Sequence, residues 1–505
     1  MSTLTSSDGV TNKERSHRFV GLTWWSLITL VLAVPVWIVL IRSAVLSRVV
    51  DGGIFLSVSA GIADGLRLYE QVWDNKDPLF FGLMAIPLAV APSLAFFMDV
   101  LWIALAGLGA GLVARSVMNA DRALFIGLVV APLLMLGPSY VPGWTNTPGT
   151  ALVLLTLGLF AHRLPLAAGL AAGLLAFVKL PVWPIAVAAL ALALPFAPLR
   201  RAAARALVSM FAAMGVLVIV LALLGWLLGA VDAIGRNRQY AVDVANYFGF
   251  DASLTGRLSR ALGDWPGAVT WSAVIALILV LLIGGLWAVN PRMRSEDRLL
   301  LAAWALVLWV GTIGVLALTY VWPHHVQALA LPTVMSAIVF AAIFPTRWLF
   351  PIFIVWAVAG AAVFSGWGSV RAAQDAWNQR SVSFDAKVAE ITEVPLDARL
   401  LASVPDSNFT YARLGSNDDR GFLGAVRADA TLACPQFHLY DFSPPEAFAE
   451  ALECIQGVDV VLLTDAFTVF GGSSRAPFAQ PVLDYVSVNF TCLRIDDRQV
   501  CTRNS

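Results

Sequence analysis

The chain has 505 residues, of which 59% are hydrophobic and 13% charged, with a formal net charge of zero and a mean hydropathy of +0.78. So little charge on so long a chain excludes an ordinary water-soluble globular protein, and the charge balance argues against nucleic acid as a partner. The 18 Trp suit a chain with many membrane–water boundaries, where the indole ring is comfortable.

In chain order, the apolar run 21–41 follows Lys13, Arg15 and Arg18 and reads as a start-transfer helix, with no cleavable signal peptide before it. Further apolar runs recur at 97–117, 122–140, 148–162, 164–179, 180–197, 206–229, 267–288, 298–319, 326–344 and 348–366. Since about 20 residues are needed to cross the hydrocarbon, the reading is a polytopic α-helical membrane protein of about 11 transmembrane helices. The three spans between 148 and 197 are short and bounded by Pro148, Pro165 and Pro181, a pattern tolerated where protein or a watery cavity satisfies the backbone.

The segment 78–97 is apolar enough to span but carries Pro78, Pro87 and Pro92. If it does not cross, Arg115/Arg122, Arg200/Arg201/Arg205, Arg292/Arg294/Arg298 and Arg347 all fall on the side of the basic N-terminus, as short cytoplasmic loops should. It is therefore read as a helix lying in the interface or re-entering it. The outer face then receives the loop 42–96, the stretch 137–149, the loop 230–266 and the tail from 366 onward.

The expected organisation is a cytoplasmic segment 1–20, a transmembrane module 21–366 and an extracytoplasmic soluble domain 367–505, in the plasma (inner) membrane. All four cysteines fall in that tail, at Cys434, Cys454, Cys492 and Cys501. They suggest two disulfides in an oxidising compartment, Cys434–Cys454 and Cys492–Cys501 closing the shortest loops; four unpaired thiols are the alternative. A helical stretch at 445–455 followed by a buried strand at 458–463 predicts a small α/β domain.

The loop after the first span carries the densest chemistry. It reads Val49-Val50-Asp51-Gly52-Gly53, then Asp64-Gly65-Leu66-Arg67-Leu68-Tyr69-Glu70-Gln71-Val72-Trp73-Asp74-Asn75-Lys76-Asp77-Pro78. An acid at the bilayer surface suits chemistry on lipid headgroups, and a nearby cation such as Lys76 can hold a phosphate. On spacing alone, capping of the following helix is the simpler role for Asp51. Lys179 either snorkels to the interface or sits near a phosphate. His324-His325 suggests a hydrogen-bonding or phosphate role, because adjacent side chains diverge and no third metal ligand is evident. In the loop 230–266, Tyr240, Asp243 and Asn246 read as solvated residues, with contact to an acceptor as the alternative.

Taken together, these stretches resemble the GT-C superfamily of membrane glycosyltransferases, which includes the protein O-mannosyltransferases and the aminoarabinose transferases of lipid A. Asp51, the Gly65/Tyr69 turn and Lys76-Asp77-Pro78 stand where that superfamily has its first-loop acid, its Gly-x-x-Tyr turn and its Lys-Pro-Pro or Lys-Gly-Pro motif. The run from Ala168 to Lys179 resembles its Gly-rich helix ending in lysine, and Tyr320-Val321-Trp322-Pro323-His324-His325 its Pro-His-Tyr motif. Tyr411 to Asp418, with Leu432-Ala433-Cys434-Pro435, is similar to external domains of some bacterial members. Three departures stand out: Gly52 replaces the second acid, Asp77 replaces Pro or Gly, and His325 replaces Tyr.

The resemblance implies transfer of a hexosyl or pentosyl unit from a polyprenyl-phosphate sugar to an envelope glycan, lipid or protein acceptor on the outer face. Asp51 is the expected general base, with Lys76, Arg67, His324 and Lys179 at the donor phosphate and Tyr69, Asp74 and His325 lining the acceptor or donor loop. No cofactor is implied, and a divalent metal lacks the adjacent acid pair that would support it. The expected partners are the donor, the acceptor and membrane lipids, and not nucleic acid. Two other readings stand beside this one: a transporter or lipid flippase, and a non-catalytic envelope scaffold.

Overall fold

The computed structural model describes residues 24–46, 50–63, 65, 67–69, 76–91, 94, 97–136, 145–247, 249, 251, 253–264, 295–319, 323–343, 377–378, 381, 403–405, 408–414, 430–434, 445–464, 476–495 and 498–504. Within them lie two bodies of different texture, an apolar helical bundle and a small mixed sheet with its own helices. Among the described residues, five helices are long and apolar enough to cross a bilayer: Trp24–Ala44, Met98–Val117, Ala197–Leu223, Leu299–Thr319 and His325–Ala342. The chain is a multi-pass membrane protein. The expected spans 267–288 and 348–366 lie outside the described residues.

Helix α1 (Trp24–Leu46) is followed by α2 (Val50–Ala63) and α3 (Pro78–Val90). The expected loop 42–96 is thus largely helical, because its apolar residues find a core of their own. Phe55, Leu56, Val58, Leu68, Phe80, Phe81, Met84 and Leu88 bury one another, with Phe55 edge-on to both Phe80 and Phe81. At 13 residues α3 is about 20 Å long, too short to cross a hydrocarbon core of about 30 Å.

Next come α4 (Met98–Val117), α5 (Ala120–Phe125), a π-helical turn (Ile126–Val130) and α6 (Ala131–Met135). The π turn has a local cause. Pro132 has no N–H to give the Leu128 carbonyl four residues back, and the Trp37 indole N–H donates to that oxygen instead, at 3.0 Å. Helices α7 (Asn146–Ala161), α8 (Pro165–Val178), α9 (Trp183–Ala191) and α10 (Ala197–Leu223) complete the tightly packed part. Helices α4 and α7 approach backbone to backbone: a Cβ on Gly109 would run into the main chain at Leu154 and Leu155, and one on Gly158 into Gly109.

The loop expected over 230–266 is also helical, as α11 (Leu227–Tyr247) and α12 (Leu254–Asp264). The chain leaves α10 through Gly225, at φ +74°, and re-enters a helix that buries Ala233, Val244 and Ala245. Tyr240, Asp243 and Asn246 therefore sit on α11. Helix α13 (Ser295–Thr319), a 3-10 segment (Pro323–Leu329) and α14 (Ala330–Ile343) close the bundle.

Tertiary contacts fix which helix ends lie together. Ser26 at the start of α1 donates to Asp121 (2.8 Å), and Arg122 donates to the Ala341 carbonyl at the end of α14 (3.2 Å). The His162 ring at the end of α7 meets the Leu112 carbonyl (3.0 Å), and Ser209 on α10 donates to the Leu166 carbonyl at the start of α8 (2.9 Å). One end of the bundle thus carries Arg115, Arg122, Arg163, Arg200, Arg201 and Arg205. The other carries the ends of α1, α8, α10 and α13 and the starts of α2, α4, α7, α11 and α14.

The tail forms a five-stranded sheet from β1 (Phe409–Leu414), β2 (Ala430–Leu432), β3 (Val460–Thr464), β4 (Phe490–Ile495) and β5 (Arg498–Arg503), in the order β2-β1-β3-β5-β4. Strand β1 runs parallel to β2 and β3, while β5 is antiparallel to β3 and β4. Helices α15 (Pro445–Ile455) and α16 (Ala476–Asn489) cover the face formed by Ala412, Leu414, Val461 and Leu463. The two disulfides are Cys434–Cys454 and Cys492–Cys501, as expected; the second joins directly opposed residues of β4 and β5.

Candidate active site at the lysine-bearing end of the bundle

The site begins where α8 stops. Pro181 disfavours α-helix at the residue before it, so α8 ends at Val178, Lys179 leaves the helical region (φ −157°, ψ 78°) and a 3-10 turn follows over Leu180–Val182. The break frees the Leu180 N–H, which donates to Asp77 Oδ2 at 3.3 Å across 103 residues of sequence. Asp77 occupies the N-cap position of α3 yet does not cap it with its side chain. Its carboxylate instead fastens the first loop to the α8 break. Burial pushes the Asp77 carboxyl above the ordinary carboxylate value, opposed by Lys179, the Leu180 N–H and Lys76. Both lysines therefore lie within electrostatic reach of one carboxylate, and of each other.

Lys76 is held from two sides. Its ammonium sits over the Phe55 ring of α2, 5.4 Å from the centroid, and its carbonyl accepts the Tyr69 hydroxyl at 2.8 Å. Tyr69 has a left-handed backbone (φ 69°), as has Gly65 (φ 90°). The Tyr69 side chain packs against Gly229 at the start of α11, where a Cβ would overlap it. Tyr69 thus positions the Lys76 main chain.

Lys179 reaches along the first turn of α7. Its Nζ donates to Thr145 Oγ1 at 2.9 Å, and its methylenes lie against Gly149. Thr145, Asn146, Thr147 and Thr150 are all buried there. Gln327, also buried, donates from Nε2 to Thr147 Oγ1 at 3.0 Å. The first N–H groups of α7 point to the end of the bundle where Lys179 lies, adding the positive end of the helix dipole. The assembly gathers two lysines and a helix start around one carboxylate, a set of groups suited to an anion.

The remaining expected residues are placed as follows. Asp51 lies in the first turn of α2, where a carboxylate is favoured by the helix dipole; its side chain is outside the described part of the structure. Arg67 is exposed, and His325 is half-buried in the 3-10 segment. His324 belongs to that same segment with its side chain undescribed, and Asp74 lies outside the described residues. Sequence reading missed Thr145, Thr147, Gln327 and Asp99, a buried carboxylate in the first turn of α4. The signal for the threonines was the run Thr145-Asn146-Thr147-Pro148, a polar helix start ahead of an apolar stretch. Among the described residues no group of three or more His, Cys, Asp or Glu side chains is arranged to hold a metal ion.

No protein-family model matches the chain, and no curated protein matches it in sequence. Solved structures do. ArnT from Cupriavidus metallidurans, bound to undecaprenyl phosphate, aligns over 96% of this chain and 99% of its own, with a TM-score of 0.51 and 14% identity. The apo form of the same protein aligns over 95% and 98%, also at 0.51 and 14%. The oligosaccharyltransferase of Archaeoglobus fulgidus, in complex with Zn and sulfate, aligns over 90% of this chain and 70% of its own, with a TM-score of 0.46 and 15% identity. The likeness to ArnT runs nearly end to end in both chains, so this chain shares that protein's fold.

Proposed function

We propose that the protein transfers a sugar, a hexosyl or pentosyl unit, from a polyprenyl-phosphate donor to an envelope glycan, lipid or protein acceptor on the outer face of the membrane. The observation that carries this reading is the meeting of Lys76 and Lys179 at Asp77, beside the start of α7, in a chain with the fold of a protein that binds undecaprenyl phosphate. The proposed organisation keeps about 11 spans, the N-terminus inside, the module 21–366 in the membrane and residues 367–505 outside. The short α3, the disulfides and the gathering of arginines at one end of the bundle all support it.

In the proposed reaction the acceptor hydroxyl attacks the anomeric carbon and gives its proton to Asp51. The bond from that carbon to the phosphate oxygen breaks, and its electron pair leaves with the phosphate. Lys179, Lys76 and the start of α7 stabilise that charge, with Arg67 and His324 at the rim. A single displacement inverts the anomeric centre. Asp74 and His325 are assigned to the loops around donor and acceptor. Cleavage of the sugar–phosphate bond supplies the energy, and no Walker-type phosphate loop occurs in the chain.

The test is transfer by purified protein in nanodiscs supplied with polyprenyl-phosphate sugars. D51N is expected to lower kcat by at least about 100-fold with little change in donor KM, the pattern for loss of a general base. Undiminished turnover in D51N would remove Asp51 from the mechanism. Absence of transfer by the wild type with every donor, together with dissipation of a solute gradient, would favour a transporter.

A further inference from the structure

Gln327 is 2% exposed, and its Oε1 has no hydrogen-bond partner among the described residues, although Nε2 is fixed on Thr147. Exchanging the amide oxygen and nitrogen does not remove the vacancy: the Thr147 hydroxyl would then donate, leaving Nε2 open. A buried amide arm without a partner is costly, and such groups in folded proteins usually have a reason to be there. Here the reason is the position. Thr147 stands two residues from Thr145, which receives the Lys179 ammonium, so Gln327 and Lys179 are anchored on the same turn of α7.

We propose that the open arm of Gln327 pairs with a ring hydroxyl of the transferred sugar, and that the donor sugar is neutral and hydroxylated. This rests on the function proposed above. If the donor phosphate lies at Lys179, the sugar is one bridging oxygen away, and its ring falls within a few ångströms of the same turn. A buried neutral amide close to a lysine suits a hydroxyl. It is a poor host for a cationic amino group, whose charge it would leave uncompensated.

The experiment uses the full-length protein in nanodiscs with short-chain polyprenyl-phosphate sugars: a neutral parent that the wild type transfers, its monodeoxy series and an amino-for-hydroxyl analogue. The wild type is expected to discriminate against one monodeoxy analogue by about 30-fold or more in kcat/KM, and against the amino analogue as well. In Q327L, or in Q327M whose shape is closer to Gln, parent and deoxy analogue are expected to react within about threefold of each other. Inhibition by the bare polyprenyl phosphate should be unchanged in the variants, since it lacks the sugar. The proposal is overturned if the wild type treats all monodeoxy analogues alike, which needs no variant. It is equally overturned if discrimination survives in a folded variant, or if a variant loses affinity for bare lipid phosphate as much as for the donor. Failure of the wild type to transfer any sugar would instead overturn the proposed function.

Discussion

Asp77 is the residue whose placement most changes the picture of the site. This chain sets a carboxylate within electrostatic reach of both Lys76 and Lys179. In the proposed function a bound lipid phosphate would share those cations with it. D77N keeps an oxygen to accept the Leu180 N–H while removing the charge, so the variant should bind bare polyprenyl phosphate more tightly. About 1 kcal/mol, roughly fivefold in the inhibition constant, is the scale for one charge at partly screened range. Because Asp77 protonates above the ordinary carboxylate value, lowering the pH neutralises it early. Inhibition of the wild type should therefore tighten as pH falls through that raised value, and the D77N curve should be flatter. Weaker binding by D77N would mean that Asp77 helps to build the phosphate site. Lys76, Tyr69 and Lys179 were legible from motif and spacing. Gln327 was not, because one amide ahead of an apolar run looks like packing until the fold brings it to Thr147 across 180 residues.

Among the elements, the spans with strong apolar runs were readable because twenty apolar residues have few alternatives to a membrane helix. Helix α3 showed only as a segment lying in or re-entering the interface, and α2 only as the helix that Asp51 would cap. Gly52, Gly53, Pro78 and Pro87 look like loop punctuation, yet Pro78 stands at the first position of α3, where the missing N–H costs nothing. Their stability comes from the Phe55–Phe80–Phe81 cluster, a contact between segments that local sequence does not announce. The same logic separates glycines that look alike. A side chain at Gly158 meets the α4 backbone at Gly109, whereas one at Gly215, in the middle of α10, meets nothing within 4 Å. Gly158→Val should lower stability by about 1–3 kcal/mol through overpacking, and Gly215→Ala should raise it by up to about 1 kcal/mol through helix propensity. Thermal denaturation in detergent reads both. Equal effects would show that the α4–α7 contact does not require the close approach.

For the molecule as a whole, the two-ended bundle and the disulfide-linked tail bear on the same question, which is the side of the membrane where the site lies. The arginines at 115, 122, 163, 200, 201 and 205 gather at one end, and Lys76, Asp77, Lys179 and Gln327 at the other. In the proposed topology the first set follows the rule for cytoplasmic loops, with the lysine end outside. The cysteines agree from independent chemistry, since disulfides persist in oxidising compartments. Among the described residues no cysteine is free, so a thiol reagent meets a silent background. A cysteine introduced at Ser253, beyond α11, should react with a membrane-impermeant maleimide on intact cells or spheroplasts. One introduced at Arg201 should react only after lysis. The reverse pattern would invert the topology and put the proposed site on the cytoplasmic face, where a soluble nucleotide-sugar donor would be as accessible as a lipid-linked one. Labelling at both positions before lysis would show only that the membrane was leaky, so a reagent-excluded cytoplasmic protein belongs in the same experiment. With that control in place, accessibility at two residues decides whether the lysine end faces the compartment in which the tail forms its disulfides.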